Sequence, residues 1–198
     1  MLSIYLGILG LGLFVGATLV FGVRLRRQPT KDAAEAYSRR MHAFFFGCLS
    51  TPFLVSLLVP GLTHLDAIAG VSPLPARGAF IAAGVILALP GLYFLGGSNR
   101  SLRSLGDGAN AFRLTRRVVA RDVYKYTRNP MSFGYYLCCL SLGLLSGSTV
   151  LTLYVLCGLI PAHLFFLKFF EERELELRLG ESYREYRAAV PFLLPRPR

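Results

Sequence analysis

The sequence predicts an all-α integral membrane protein with five transmembrane helices, and two observations carry that reading. The first is the distribution of apolar residues. The chain of 198 residues is 54% hydrophobic and only 17% charged, against about 25% charged in an ordinary soluble domain, and its mean hydropathy is +0.50. The excess is gathered into blocks long enough to cross a bilayer. The second observation is where the charge lies. Lys and Arg number 22 against 11 Asp and Glu, a net charge of +11. A balance this basic suits nucleic acid or an anionic membrane surface. The basic residues fall between the apolar blocks and no nucleic-acid motif accompanies them, so membrane lipids are the expected partner and nucleic acid is not.

The elements follow in order. Residues 2–23 form an uncharged run, and a helix needs about 20 residues to cross the hydrocarbon core. Arginines follow this run and none precedes it, the reverse of a cleavable signal peptide, so it is read as a retained first span. Residues 42–61 give the second span, with Pro52 inside, and residues 78–97 the third, with Pro90 inside. Proline is tolerated there when neighbours satisfy the freed carbonyl. Residues 133–170 are too long for one span. Ser146, Gly147, Ser148 and Thr149 in their middle are turn residues, so the stretch divides into a short fourth helix, 133–147, and a longer fifth, 149–170, folded as a hairpin. Residues 24–40, 100–128 and 168–198 then hold 21 of the 22 Lys and Arg. With five spans and an outside N-terminus, all three segments lie on the cytoplasmic side, as the positive-inside rule demands. The C-terminus is cytoplasmic, and the membrane is a bacterial inner membrane or that of the endoplasmic reticulum. The loop 62–77 is external, with Asp66 its single acid. There is no internal repeat, and residues 1–198 read as one membrane-embedded domain.

Cys48, Cys138, Cys139 and Cys157 all fall inside apolar blocks without the paired spacing of a zinc or haem site. They read as small buried hydrophobes, and no metal is expected. His42, His64 and His163 are isolated. Interface or intramembrane packing explains them, although ionisable residues inside membranes often mark function, and His163 in the fifth helix is placed to face a cavity.

Two segments stand out chemically. Six of the eleven acids follow the fifth span, beginning with Glu171 and Glu172 where the helix leaves the hydrocarbon. Two readings stand: a solvated acid pair partnered by Lys168, or a carboxylate that recognises a cationic or hydroxyl-bearing ligand. The helix is expected to stop at Gly180 as a left-handed terminator. A second short helix would then present Tyr183, Tyr186 and Val190 on one face and end before Pro191. The other segment, 122–134, precedes the fourth span. Pro130 fits the first turn of that helix and Asn129 the N-cap. Read plainly this is a capped helix start with an aromatic and basic anchor; read sharply, its free N–H groups attract an anionic ligand group.

Together these segments resemble the superfamily of isoprenylcysteine carboxyl methyltransferases and phospholipid methyltransferases. The resemblance lies in Tyr124-Lys-Tyr-Thr-Arg-Asn-Pro-Met-Ser-Phe-Gly134 before the hairpin, and after it in Glu171-Glu172, Leu179-Gly180-Glu-Ser-Tyr183-Arg-Glu-Tyr186, Val190-Pro191 and Leu194-Pro195. Order and spacing fit over about residues 113–198. The resemblance implies S-adenosylmethionine as cofactor, bound at the cytoplasmic interface without a Rossmann fold, and no Gly-x-Gly-x-x-Gly follows a strand here. It implies cofactor contacts from Arg116, Arg117, Val118, Val119, Tyr124, Arg128, Asn129, Pro130, Met131, Ser132 and Glu171. Glu171, Glu172 and Asn129 are the candidates for catalysis, and Gly91 and Gly96 would allow close approach on the third span. The chain departs from the family pattern at Asn129, where a histidine is usual, at Ser132 in place of a tyrosine, and at Leu167 in place of the arginine of the carboxyl methyltransferases. The expected acceptor is a lipophilic molecule from the bilayer. A phospholipid N-methyltransferase and a non-catalytic protein that retains the fold are the alternatives.

Overall fold

A computed structural model describes residues 2–58, 62–107 and 114–196, and among these every regular element is helical. Helix α1 is Leu2–Arg27. Helix α2 covers 31–58, made of Lys31–Phe44, a π-turn Phe45–Ser50 and Thr51–Leu58. Helix α3 is Leu62–Ala69, α4 is Arg77–Leu105 and α5 is Pro130–Ser146. Helix α6 is Thr149–Leu179, with π-turns at Tyr154–Leu159 and Leu167–Glu171. Helix α7 is Glu181–Ala189.

Three helices are long and apolar enough to cross a membrane, Tyr5–Arg27, Arg77–Leu105 and Thr149–Leu179, and Pro130–Ser146 is a shorter apolar helix. The apolar stretch expected as the second span lies on α2, with residues 59–61 outside the described ones. Most helices run beyond the charge-free windows read from the sequence: α1 ends at Arg27, α2 begins at Lys31 and α6 continues to Leu179. Charge bounds the part of a helix that can sit in hydrocarbon, whereas backbone hydrogen bonding continues into the interface. The loop expected at 62–77 contains α3.

The hairpin forms where the turn residues placed it. Gly147 takes φ 74° after α5, and Ser148 caps the N-terminus of α6 through Leu151 N. Asp66 on α3 is 1% exposed. Its carboxylate accepts from Ser148 Oγ at 3.0 Å, Thr149 N at 3.2 Å and Val150 N at 2.8 Å. Far from being a solvated loop acid, Asp66 fastens α3 to the first turn of α6, where the helix dipole favours an anion.

Helices α1, α2 and α6 enclose the core, in which Phe14, Leu49, Leu159, Phe166 and Phe170 are buried. Helices α4 and α5 pack against each other along a close seam. A methyl added at Gly134 would lie 2.6 Å from Leu95 N and 2.7 Å from Gly91 O, so only glycine allows this backbone approach. Such contacts hold helices together in lipid, where the hydrophobic effect does not. Gly91 does lie in the seam, but Gly96 faces open space, and it is Gly97 that accommodates Val123. Of the cysteines only Cys139 is buried, and Cys157 is exposed on the protein surface. Gly180 has φ 64° but ψ −138°, outside the left-handed helical region expected for a terminator, and the chain turns directly into α7.

Candidate active site

The site is built at the end of the bundle opposite the hairpin, where the chain's own tail organises it. After α4 the connection reaches a short 3₁₀ turn, Asp122–Lys125. Asp122 accepts from Ser101 Oγ at 2.9 Å and ties this turn to α4. The tail then pairs with the segment before α5. Arg128 N donates to Pro191 O at 2.8 Å, Arg196 N to Tyr126 O at 3.1 Å, and Thr127 Oγ1 to Phe192 O at 3.1 Å. The Tyr186 hydroxyl donates to Tyr124 O at 2.7 Å. Tyr183, Tyr186 and Val190 form one buried face of α7, as their spacing predicts, and Val118, Leu175 and Leu179 pack on it.

Pro130 occupies the first turn of α5, and Asn129 stands at its N-cap position without capping it. The Asn129 amide instead donates to Phe192 O at 2.9 Å. The first intrahelical bond is Phe133 N to Asn129 O at 2.9 Å, which leaves the amides of Met131 and Ser132 uncapped at the positive end of the helix. Arg128 donates to Arg187 O at 2.8 Å, to Val190 O at 2.7 Å and to Glu172 Oε1 at 2.5 Å. Glu172 also receives Lys168 Nζ at 3.3 Å. The segment before the hairpin and the acids after it therefore meet directly.

Between them opens a cavity of about 390 Å³, within the usual range of small-molecule sites. Tyr124, Arg128 and residues 129–132 line it on one side and Glu171 on the other. The π-turn Leu167–Glu171 places both Leu167 and Glu171 on the cavity wall; such turns recur at functional sites because the extra residue re-aims a side chain. Among the described residues Glu171 has no hydrogen-bonding or ionic partner. Arg128 Nε is also buried without a partner. Burial, reinforced by Tyr186 and Glu171 nearby, pushes the Tyr124 phenol well above its ordinary range, so it stays protonated.

The cofactor residues implied by the resemblance are thus divided. Tyr124, Arg128, Asn129, Pro130, Met131, Ser132 and Glu171 share the cavity. Arg116 lies at a smaller cleft of about 260 Å³ beside Lys31 and Glu35, whose walls Thr115 and Arg178 also belong to the main cavity. Arg117 pairs with Asp107 at 2.8 Å, Val118 packs on α7 and Val119 is buried. Glu172 is turned to Arg128 and Lys168 rather than to the cavity. Sequence reasoning missed the buried ion pair of Glu174 with Arg178, which rims the cavity while Arg178 Nη1 holds Thr115 O at 2.6 Å. Its i, i+4 spacing was the available signal. It also missed the contribution of α2, from which Ser38, His42, Phe45, Phe46 and Ser50 reach the cavity. His163 does face the cavity; the side chain of His64 lies outside the described ones.

Comparison with curated proteins finds no match, and comparison with solved structures finds none. The family model described as phospholipid methyltransferase matches residues 79–182, just over half the chain, and spans α4, the hairpin and the acids that close the cavity. The chain belongs to the phospholipid methyltransferase family, within the superfamily of membrane methyltransferases that includes the isoprenylcysteine carboxyl methyltransferases.

Proposed function

We propose that the protein transfers a methyl group from S-adenosylmethionine to a lipophilic acceptor that enters from the bilayer, in the manner of the isoprenylcysteine carboxyl methyltransferases. Phospholipid N-methyl transfer is the second reading, favoured by the family that matches. The observation that carries the proposal is the carboxyl group of Glu171, without a partner among the described residues, in a cavity whose other wall is the uncapped start of α5.

The residues suit that donor. A carboxylate without a protein partner is ready to accept from an amine or a ribose diol, with charge assistance. The Arg128 Nε–H, buried and unspent, and the amides of Met131 and Ser132 are donors for a carboxylate. Tyr124 remains a phenol and offers a ring face to a cation or a flat base. S-adenosylmethionine supplies an electrophilic methyl group on a sulfonium. The protein's part is to align that group with a lone pair and to exclude water, and positioning of this kind supplies roughly 7–11 kcal/mol of a barrier. An acceptor that must lose a proton finds a base in Glu171 where the donor engages only one of its two oxygens. In this reading the chain crosses the membrane five times, the N-terminus is outside and the cavity opens to the cytoplasm, which gathers 21 of the 22 Lys and Arg on that side.

Two experiments test this. Purified protein is titrated with S-adenosylhomocysteine by calorimetry; binding that is lost in Glu171→Ala is expected, and no binding at millimolar concentration refutes the donor site. Labelled methyl transfer into a total lipid extract is then followed by identification of the product. A labelled lipid supports the acceptor class, and a labelled water-soluble product alone overturns it.

A further inference from the structure

We infer that the His163 end of the cavity is the acceptor's subsite and that, unlike the carboxylate site of the isoprenylcysteine enzymes or the amine site of phospholipid N-methyl transfer, it selects an uncharged, hydroxyl-bearing head, hydrogen-bonded by His163. The inference rests on the assignment of Glu171 to the methyl donor.

The acids and arginines on the cavity wall are Glu171, Glu174, Arg128 and Arg178, and its histidines are His42 and His163. Arg178 is spent on Glu174, and Arg128 on Glu172. Glu171 alone is uncommitted, and the donor takes it. Around His163 the wall carries Phe45, Phe46, Ser50, Tyr135 and Phe166, with no acid, arginine or lysine among them. A charged head brought here would lose its hydration and meet no counter-ion, and so binds more weakly.

The polar atoms here are almost all satisfied. The Tyr135 hydroxyl and Ser50 Oγ bond each other at 3.1 Å. His163 Nδ1 and the Tyr136 hydroxyl share a bond of 2.8 Å. The His163 ring is held between Phe45, at 4.7 Å between centroids, and Phe166, stacked at 5.5 Å. Its Nε2 has no partner among the described residues, and it is not one of the two fully occluded atoms left unpaired there, Arg128 Nε and the Tyr154 hydroxyl. A fixed ring thus offers one unspent nitrogen in an aromatic chamber. Depending on which way the Tyr136 bond runs, Nε2 donates or accepts. A hydroxyl answers either case, because it does both. An ammonium only donates and a carboxylate only accepts. His163 stands eight residues before Glu171 on the same helix, about 12 Å along the axis, so a donor held at Glu171 and a head held at His163 share the space between.

The test uses the full chain in nanodiscs and three probes with the same long alkyl tail: a phenol, a primary amine and a carboxylate. Each displaces a tritiated copy of the phenol, and the dissociation constants are compared. The expected result is a preference for the phenol of about tenfold or more, the worth of one good hydrogen bond in an apolar site. His163→Phe removes that preference while S-adenosylhomocysteine affinity stays unchanged, and His163→Gln, whose amide both donates and accepts, restores it in part. Equal or tighter binding of the amine or the carboxylate to the unmodified protein overturns the inference. So does an unchanged phenol constant in a His163→Phe protein that still binds S-adenosylhomocysteine. Should His163→Phe not fold, the selectivity of the unmodified protein decides alone. Absence of S-adenosylhomocysteine binding would refute the donor site instead, and the probe series is read without it.

Discussion

The helix α6 meets one carboxyl group at its start, that of Asp66, and carries another, that of Glu171, about two turns before its end, and the protein treats the two in opposite ways. At the hairpin end Asp66 receives three donors, Ser148 Oγ and the amides of Thr149 and Val150. Toward the tail Glu171 receives none among the described residues, although its neighbours Glu172 and Glu174 are both engaged with arginines. A desolvated carboxylate with its acceptors filled fixes an element in place. One left unfilled beside a cavity is free to serve a ligand instead. The comparison separates residues that hold the site together from the residue that faces into it.

Substitutions at these positions measure the difference. The largest loss of stability is expected for Glu172→Ala. It strands Arg128 beside a buried gap and should cost about 3 kcal/mol in chemical denaturation; a loss below about 1 kcal/mol would show that the two carbonyls bound to Arg128 suffice without the ion pair. Asp66→Ala removes three bonds at the hairpin end and should cost about 2–3 kcal/mol, with S-adenosylhomocysteine affinity of the folded protein unchanged. A large change in affinity would mean that the two ends are coupled and that the division drawn here is wrong. Gly134→Ala lies between them. Its methyl meets the backbone of Leu95 and Gly91, so about 1–3 kcal/mol is expected from overpacking, read as a lowered midpoint of unfolding. The smallest effect on stability belongs to Glu171→Gln, within about 0.5 kcal/mol of the parent.

Much of this arrangement was legible in the sequence. Apolar blocks gave the helices of the membrane, Gly147 gave the hairpin turn, and Pro130 gave the start of α5. The resemblance around Tyr124–Ser132 and at Glu171 pointed to residues of the cavity wall, whereas Glu172 turns away from it to Arg128 and Lys168. What escaped depends on contacts between distant residues. Asp66 read as a loop acid because its partners lie more than eighty positions away. Asn129 fits the statistics of an N-cap, yet the tail carbonyl of Phe192 takes its amide. Gly96 and Gly97 are adjacent and alike in sequence, and only the packing of Val123 tells them apart. The π-turns of α2 and α6 leave no mark in hydrophobic period, and two of the three carry residues of the cavity wall.

The most direct test of the central claim is calorimetric titration of S-adenosylhomocysteine into the parent protein, Asp66→Asn and Glu171→Gln, paired with the unfolding midpoint of each. Glu171→Gln is expected to keep its midpoint and lose about tenfold or more in affinity, while Asp66→Asn loses midpoint and keeps affinity. A Glu171→Gln protein that binds as the parent does, or one that fails to fold, would contradict it.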